Sequence, residues 1–178
     1  MHIFLKLKSW QLFLLLLGIP GTAHLLLYSV LPGDNTNFLL LSPFQIILIF
    51  LLLSWFWVLG TRLNQFVSED LRSTTTLFKF SIIVPVAITI SLQTLLILRP
   101  SSSSLPDLLL FIIPLYFLFV VCLLYDLNFI SKNLVLAEKN DKVKIEEYIG
   151  PFFALWFFPI GLWFIQPRVN SLFAQKTK

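Results

Sequence analysis

The chain has 178 residues, of which 57% are hydrophobic and 12% charged, with a mean hydropathy of +0.87 and a formal charge of +4 from 13 Lys and Arg against 9 Asp and Glu. A soluble domain carries about 25% charged residues, and half that number leaves too few to cover a water-facing surface, which excludes an ordinary soluble domain. The basic residues flank apolar runs, so they point to membrane orientation and anionic lipid headgroups instead of nucleic acid. Cys122 is the single cysteine, which excludes an intramolecular disulfide and a cysteine metal cluster.

Four apolar runs are expected to cross a membrane, at 10–31, 43–59, 80–98 and 107–125, within one integral membrane domain covering 1–178. Each is close to the roughly 20 residues that span a hydrocarbon core of about 30 Å. The first run follows Lys6 and Lys8 and resembles a signal peptide near Gly21 and Ala23, but Leu25 to Leu31 carry the apolar pattern past that point, so a retained span is expected. Pro20 predicts a kink there, because proline cannot donate its helix hydrogen bond. Pro32, Gly33, Asp34 and Asn35 signal a turn. The second run starts near Pro43, which suits a first helical turn. Beyond it, Leu59, Leu63, Phe66 and Val67 keep one face while Arg62, Asn64 and Gln65 take the others, so the helix should leave the membrane as an amphipathic extension to about Val67.

The third run has Pro85 early in it, and Arg99, Pro100 and the serines 101–104 end it in a loop. Asp107 is placed to cap the fourth run. Leu127, Ile130, Leu134 and Ala137 recur at i, i+3, i+7 and i+10, a second amphipathic extension ending near Asn140 and Asp141. The chain therefore reads as two tandem hairpins, each a helix, a short outer loop and a longer helix.

Lys and Arg collect in cytoplasmic loops. An N-terminus inside puts Lys6, Lys8, Arg62, Arg72, Lys79, Lys132, Lys139, Lys142 and Lys144 on the inner side and only Arg99 in an outer loop. The aromatic stretch 148–167, broken by Pro151, Pro159 and Gly161, decides the C-terminus. As a fifth transmembrane helix it would carry Arg168, Lys176 and Lys178 outside. As a re-entrant or interfacial element it would keep them inside, which places 12 of the 13 basic residues there instead of 9. Charge bias favours the element that enters and returns; length, just sufficient to span, favours the crossing.

The ending IGPFFALWFFPIGLWFIQPRVN and the opening LKSWQLFLLLLGIP, with looser likeness at Leu59–Asn64 and Ala137–Glu138, resemble a group of small, uncharacterised multi-pass integral membrane proteins of Bacteroidota. The resemblance implies a bacterial inner-membrane location. It carries over no activity and no catalytic or binding residue.

Ionisable groups inside a membrane are functional suspects, and this chain has few. His24 is the one well inside a run; a metal site needs several ligands, and the only other histidine, His2, lies at the opposite side, so a lone hydrogen-bonded histidine is the simpler expectation. Gln93 and Gln45 could line a polar cavity, though a single interhelical hydrogen bond is the commoner use of such an amide. Asp126 closes the fourth run at the inner interface. Glu146 and Glu147 form an adjacent pair bordered by lysines, which fits a solvated face better than acid–base chemistry. Arg62, Arg72 and Arg168 are candidates for lipid phosphate or interfacial anchoring. No phosphate-binding glycine loop, zinc-protease helix or nucleophile elbow is present. No cofactor is expected.

The reading that follows is a non-enzymatic accessory or assembly subunit of a membrane complex, contacting membrane lipids and meeting a protein partner at the cytoplasmic side through the amphipathic extensions. A transporter or channel subunit for an apolar or lipid-like substrate is the alternative, motivated by the prolines at 20, 85 and 159. An enzyme acting on lipid through His24 or the Glu146–Glu147 region ranks last.

Overall fold

A computed structural model describes the backbone of residues 3–30, 36–97 and 105–176 and the side chains of 4–30, 44–95 and 109–175. The expected turn at 32–35 and the serine loop with Arg99 lie outside the described residues. The elements are α1 (Ile3–Lys6), α2 (Ser9–Val30), α3 (Thr36–Phe66), α4 (Thr76–Ile97), α5 (Leu105–Lys139), α6 (Ile145–Trp156) and α7 (Phe158–Lys176), with one 3-10 turn (Glu69–Leu71) between α3 and α4. No strand occurs among the described residues. Four stretches, Ser9–Val30, Phe44–Phe66, Thr76–Leu95 and Leu109–Lys139, are long and apolar enough to cross a bilayer. The chain is an all-α membrane protein.

Proline chemistry shaped these helices differently from the expectation in three places. Ahead of Pro20, α2 widens into a π-turn over Leu14–Gly18, in which the Ile19 N–H reaches the Leu14 carbonyl. The extra residue accommodates the ring and the missing donor, and Thr22 donates its hydroxyl to the Gly18 carbonyl at 2.8 Å. The second helix begins at Thr36, so Pro43 lies beyond its first turn. The fourth begins at Leu105, which puts Asp107 inside the first turn and not at the cap.

The two long helices run on as expected. α3 has 31 residues and α5 has 35, about 46 and 52 Å, well beyond a core of about 30 Å. Their extended ends do not stand free. Leu59 and Leu63 of α3, Val67 just past its end, and Ile130, Leu134 and Ala137 of α5 are all buried, in one core with Leu5, Leu12, Ile165 and Val169. Asn64 belongs to that buried set too, 3% exposed. Its amide donates to the Ser73 carbonyl at 2.8 Å and its oxygen accepts the Ser73 N–H at 3.2 Å, which satisfies the chain as it turns from α3 to α4. At the end of α5, Asn140 takes a positive φ of 55°, a conformation asparagine tolerates. Its side chain accepts the Ser68 N–H at 3.2 Å and so ties the ends of α3 and α5 together.

Gly60 of α3 makes room for the tip of the Phe78 ring. A Cβ there would come within 2.2 Å of Phe78 Cζ. Phe78 is fully buried and stacks on Phe129 of α5 with centroids 4.4 Å apart, so one glycine and two rings fix the spacing of three helices.

The aromatic stretch forms a helical hairpin. α6 ends at Phe157, whose ψ of 53° breaks the helix. Pro159 then falls in the first turn of α7, where its missing N–H costs nothing. Gly161 does not act through conformational freedom: its φ is negative. It acts through the absence of a side chain, because a Cβ would meet the Ala154 carbonyl oxygen at 1.6 Å. The two arms can double back only on a residue without Cβ. At 12 and 19 residues the arms reach about 18 and 28 Å, so the first is too short to span. The tip packs against α3 and α5, with Phe158 on Trp55 at a ring separation of 5.6 Å. The returning arm then lies along α1 and the start of α2. The hairpin thus brings Asn170 back to the end of the bundle that holds Leu7.

Candidate functional site

The polar residues gather at that shared end, and most of them hold chain segments to one another. Gln166 is fully buried and its amide donates to the carbonyls of Phe4 (2.8 Å) and Leu7 (3.1 Å), while Asn170 donates to the same Leu7 carbonyl at 3.1 Å. These are the carbonyls left open as α1 ends. Arg168 grips Glu138 with two hydrogen bonds, Nε to Oε1 at 2.8 Å and Nη2 to Oε2 at 2.5 Å, a fork geometry that fixes α7 to α5. Lys139 meets Glu147 at 2.7 Å. The Lys139 hydrogen bond, with the Lys144 N–H adding to it, holds the Glu147 carboxyl below the usual carboxylate range. Arg72 donates to the Gln65 and Val67 carbonyls at 3.2 and 3.3 Å, closing the C-terminus of α3.

The residues singled out from the sequence are distributed over this framework and do not converge. Arg168 is spent on Glu138. Arg62 reaches the Gln65 side chain at 3.2 Å and makes further contact. Glu146 and Glu147 part company, since only the second finds a lysine. Gln93 and Gln45 do come together, the Gln93 amide donating to the Gln45 oxygen at 2.9 Å between α4 and α3. His24 lies edge-on to the Phe44 ring at 6.4 Å, linking α2 to α3. Among the described residues no three His, Cys, Asp or Glu side chains gather where they could hold a metal ion.

Two apolar clefts flank the stacked pair Tyr116 and Phe119 of α5. One, of about 240 Å³, is lined by Ile49, Ile88, Thr89, Leu92 and Gln93. The other, of about 270 Å³, lies between Leu52 and Phe56 of α3, Val120 and Leu123 of α5, and the hairpin tip. Neither holds an ionisable group other than the Tyr116 phenol. Such walls suit acyl chains; they offer no ladder of charges for an ion.

The group that sequence reasoning placed too near water is Asp126. It is fully buried, faces α4, and is joined to the Ser81 hydroxyl at 2.5 Å. The signal was available in part: Asp126 lies next to Leu127 and one turn before Ile130, on the flank of the apolar face. Asn64, Asn133 and Gln166 were missed for the same reason. Asn64 and Gln166 each follow an apolar residue of a helical face, Leu63 and Ile165, and Asn133 precedes one, Leu134; that flank becomes interior once a third helix covers it.

No family model, no curated protein and no solved structure matches the chain.

Proposed function

We propose that this chain is a non-enzymatic accessory or assembly subunit of a bacterial inner-membrane complex, with the pole that these polar contacts knit together, and the N- and C-termini with it, in the cytoplasm. The observation that carries the reading is the uneven packing of its spans. Only 11% of the most apolar stretch is buried in the first and fourth spans, against 33% in the second and third. Transmembrane helices associate by close packing, so two spans with so little of it suit docking against the helices of another subunit. The amphipathic extensions cannot serve that purpose, because their apolar faces are occupied within the chain. The partner surface therefore moves from the cytoplasmic extensions to the membrane plane, at the outer halves of α2 and α5.

The orientation rests on charge. Lys8, Arg62, Arg72, Lys79, Lys139 and Arg168 belong to the knitted pole and its connections, and basic residues mark the cytoplasmic side. A bacterial source and the inner membrane follow the resemblance described above. A photo-cross-linking residue at Leu25 or Leu110, activated in native membranes, tests the proposal: repeatable protein adducts are expected at both positions, and lipid adducts alone would reject it. The paired apolar clefts favour a second reading, a subunit that holds a lipid-like molecule. A lipid class enriched in the purified protein, and lost when Leu123 is replaced by Trp to fill the cleft, would select it.

A further inference from the structure

Ser81 has one hydroxyl proton and two close oxygen neighbours. Its Oγ lies 2.9 Å from the Phe78 carbonyl and 2.5 Å from Asp126 Oδ1. A backbone carbonyl can only accept, and an ionised carboxylate can only accept. With Asp126 ionised, the single serine proton serves one of the two contacts and leaves the other as two acceptors facing each other at hydrogen-bond distance. With a proton on Oδ1, both contacts are satisfied in sequence: Asp126 donates to Ser81, and Ser81 donates to the Phe78 carbonyl.

The surroundings favour the same state. Asp126 is fully buried, and its second oxygen has no hydrogen-bond partner. The ion pairs among the described residues are Lys139–Glu147 and Arg168–Glu138, and neither reaches it. On α4, Lys79 stands over the Trp57 ring at 5.9 Å. On α3, Arg62 is engaged with Gln65, and on α6, Glu147 is taken by Lys139. The titratable groups that share its field are Cys122 and Tyr125 of its own helix, both neutral in ordinary form. A buried carboxylate without a cation is costly, and a neutral acid with one donor and one acceptor bond is far less so. The site is also placed to matter, since Phe78 and Phe129, at the helix junction set by Gly60, lie three residues from Ser81 and from Asp126.

We infer that Asp126 and Ser81 form a proton-binding site that locks α4 to α5 when the carboxyl is protonated. Removing the proton would leave a negative charge in a dry junction and would release Ser81 from the Phe78 carbonyl. The serine proton would turn to the carboxylate, and the two helices would then be held at this level by aromatic stacking and one hydrogen bond to a buried charge that no cation offsets.

Infrared spectroscopy of the full chain in lipid nanodiscs reads the proton directly. At neutral pH a protonated-carboxyl C=O band is expected, shifted by labelling with ¹³C-aspartate and lost on alkaline titration. Absence of any aspartate-labelled acid band at neutral pH would overturn the inference. Ser81→Ala leaves the carboxyl in place and removes its acceptor, so the band should move to higher frequency; a band that does not move belongs to another aspartate and also refutes the site. Asp126→Asn keeps a neutral donor toward Ser81. It should melt near the parent temperature and lose the alkaline drop in melting temperature, whereas a melting temperature as low as that of Asp126→Leu would mean that the donor is not needed.

Discussion

The first and fourth spans behave as two different helices along their length. In α2, Leu12, Leu16 and Pro20 are buried, whereas Leu25, Leu26, Tyr28 and Val30 are exposed. In α5, every residue from Leu134 to Ala137 is buried, whereas Leu110, Phe111, Ile113 and Phe117 are exposed. Apolar content does not explain the contrast, since both halves of α2 are rich in Leu and the exposed half of α5 is the more apolar one, its buried half carrying Asp126, Lys132 and Asn133. The difference is what arrives to cover them. The C-terminal hairpin enters as far as Trp55 and Leu123 and fills the half that holds Asn64 and Gln166, and the opposite half has only the spans themselves. Packing in this protein is therefore set by a wedge from one end, and the ways to break the comparison are to remove the wedge, loosen what it packs on, or alter the half it does not reach.

Removing the wedge should have the largest effect. Gly161→Leu places carbon inside the Ala154 carbonyl, a backbone clash that no rotamer relieves. The hairpin must open, and the loss should be about 3 kcal/mol or more, within the range of severe core disruption. SDS-titration unfolding measures it. A reporter fused after the C-terminus, which the proposed orientation places in the cytoplasm of the parent chain, should become mixed in the variant as the stretch gains freedom to span. A variant with parental stability would show that the arms do not double back at this residue.

Gly60→Ala comes next. The new methyl meets the tip of the Phe78 ring, which is fully buried and stacked on Phe129, so the ring cannot simply step aside. Overpacking of this kind costs about 1–3 kcal/mol. The double variant Gly60→Ala with Phe78→Leu should recover part of that loss in the same unfolding assay. Failure to recover would mean that the ring is not what the methyl strikes.

Breaking the Arg168–Glu138 fork should cost less, about 1 kcal/mol, because both side chains remain partly exposed to solvent. Arg168→Glu and Glu138→Arg should each destabilise, and the swapped pair should be better than either single change, the usual signature of a direct contact in a double-mutant cycle. Additivity would assign Arg168 to lipid or water.

How much of this was legible in advance follows from the physics of each element. The four spans and both extensions were readable because apolar length and helical periodicity are local signals. The hairpin was readable in outline because Pro159 and the basic tail after it are local as well. The place of the break was not: Phe157 breaks because the second arm must turn back against Ala154, a contact made across seven residues. The burial of Asn64, Asp126, Asn133 and Gln166 was not legible either. A polar residue on the flank of an apolar stripe becomes solvent-facing or interior according to whether a third helix covers it, and that is decided by tertiary packing. The same fact turned the expected partner-binding extensions into core.

In the half the wedge does not reach, substitution should be nearly silent for the isolated chain. Leu25→Ala and Leu110→Ala remove side chains that are 67% and 72% exposed, and such changes stay within about 0.5 kcal/mol. If the proposed partner packs there, both should still weaken co-purification from native membranes. Silence in both assays would leave the outer half without a role in assembly and count against the function proposed.

The smallest expected effect is a local response to acid at the hinge between α5 and α6. The Lys139 hydrogen bond holds the Glu147 carboxyl below its ordinary range in the folded chain. A group whose folded value is depressed adds stability at pH above its unfolded value, and that contribution is lost as pH falls through the folded value. Glu147 and Lys139 are both solvent-exposed, so the change should not appear in global unfolding. It should appear in hydrogen exchange of the segment 139–150, corrected for intrinsic rates, which should quicken as pH drops from neutral through the carboxylate range. In Glu147→Gln that segment should start looser and show no acid step. The segment 109–117 is the internal control, because it has no carboxylate and is not covered by the hairpin. An equal acid response there would mean that the knitted end and the bare end do not respond separately, and the contrast between them would fail as a description of this protein.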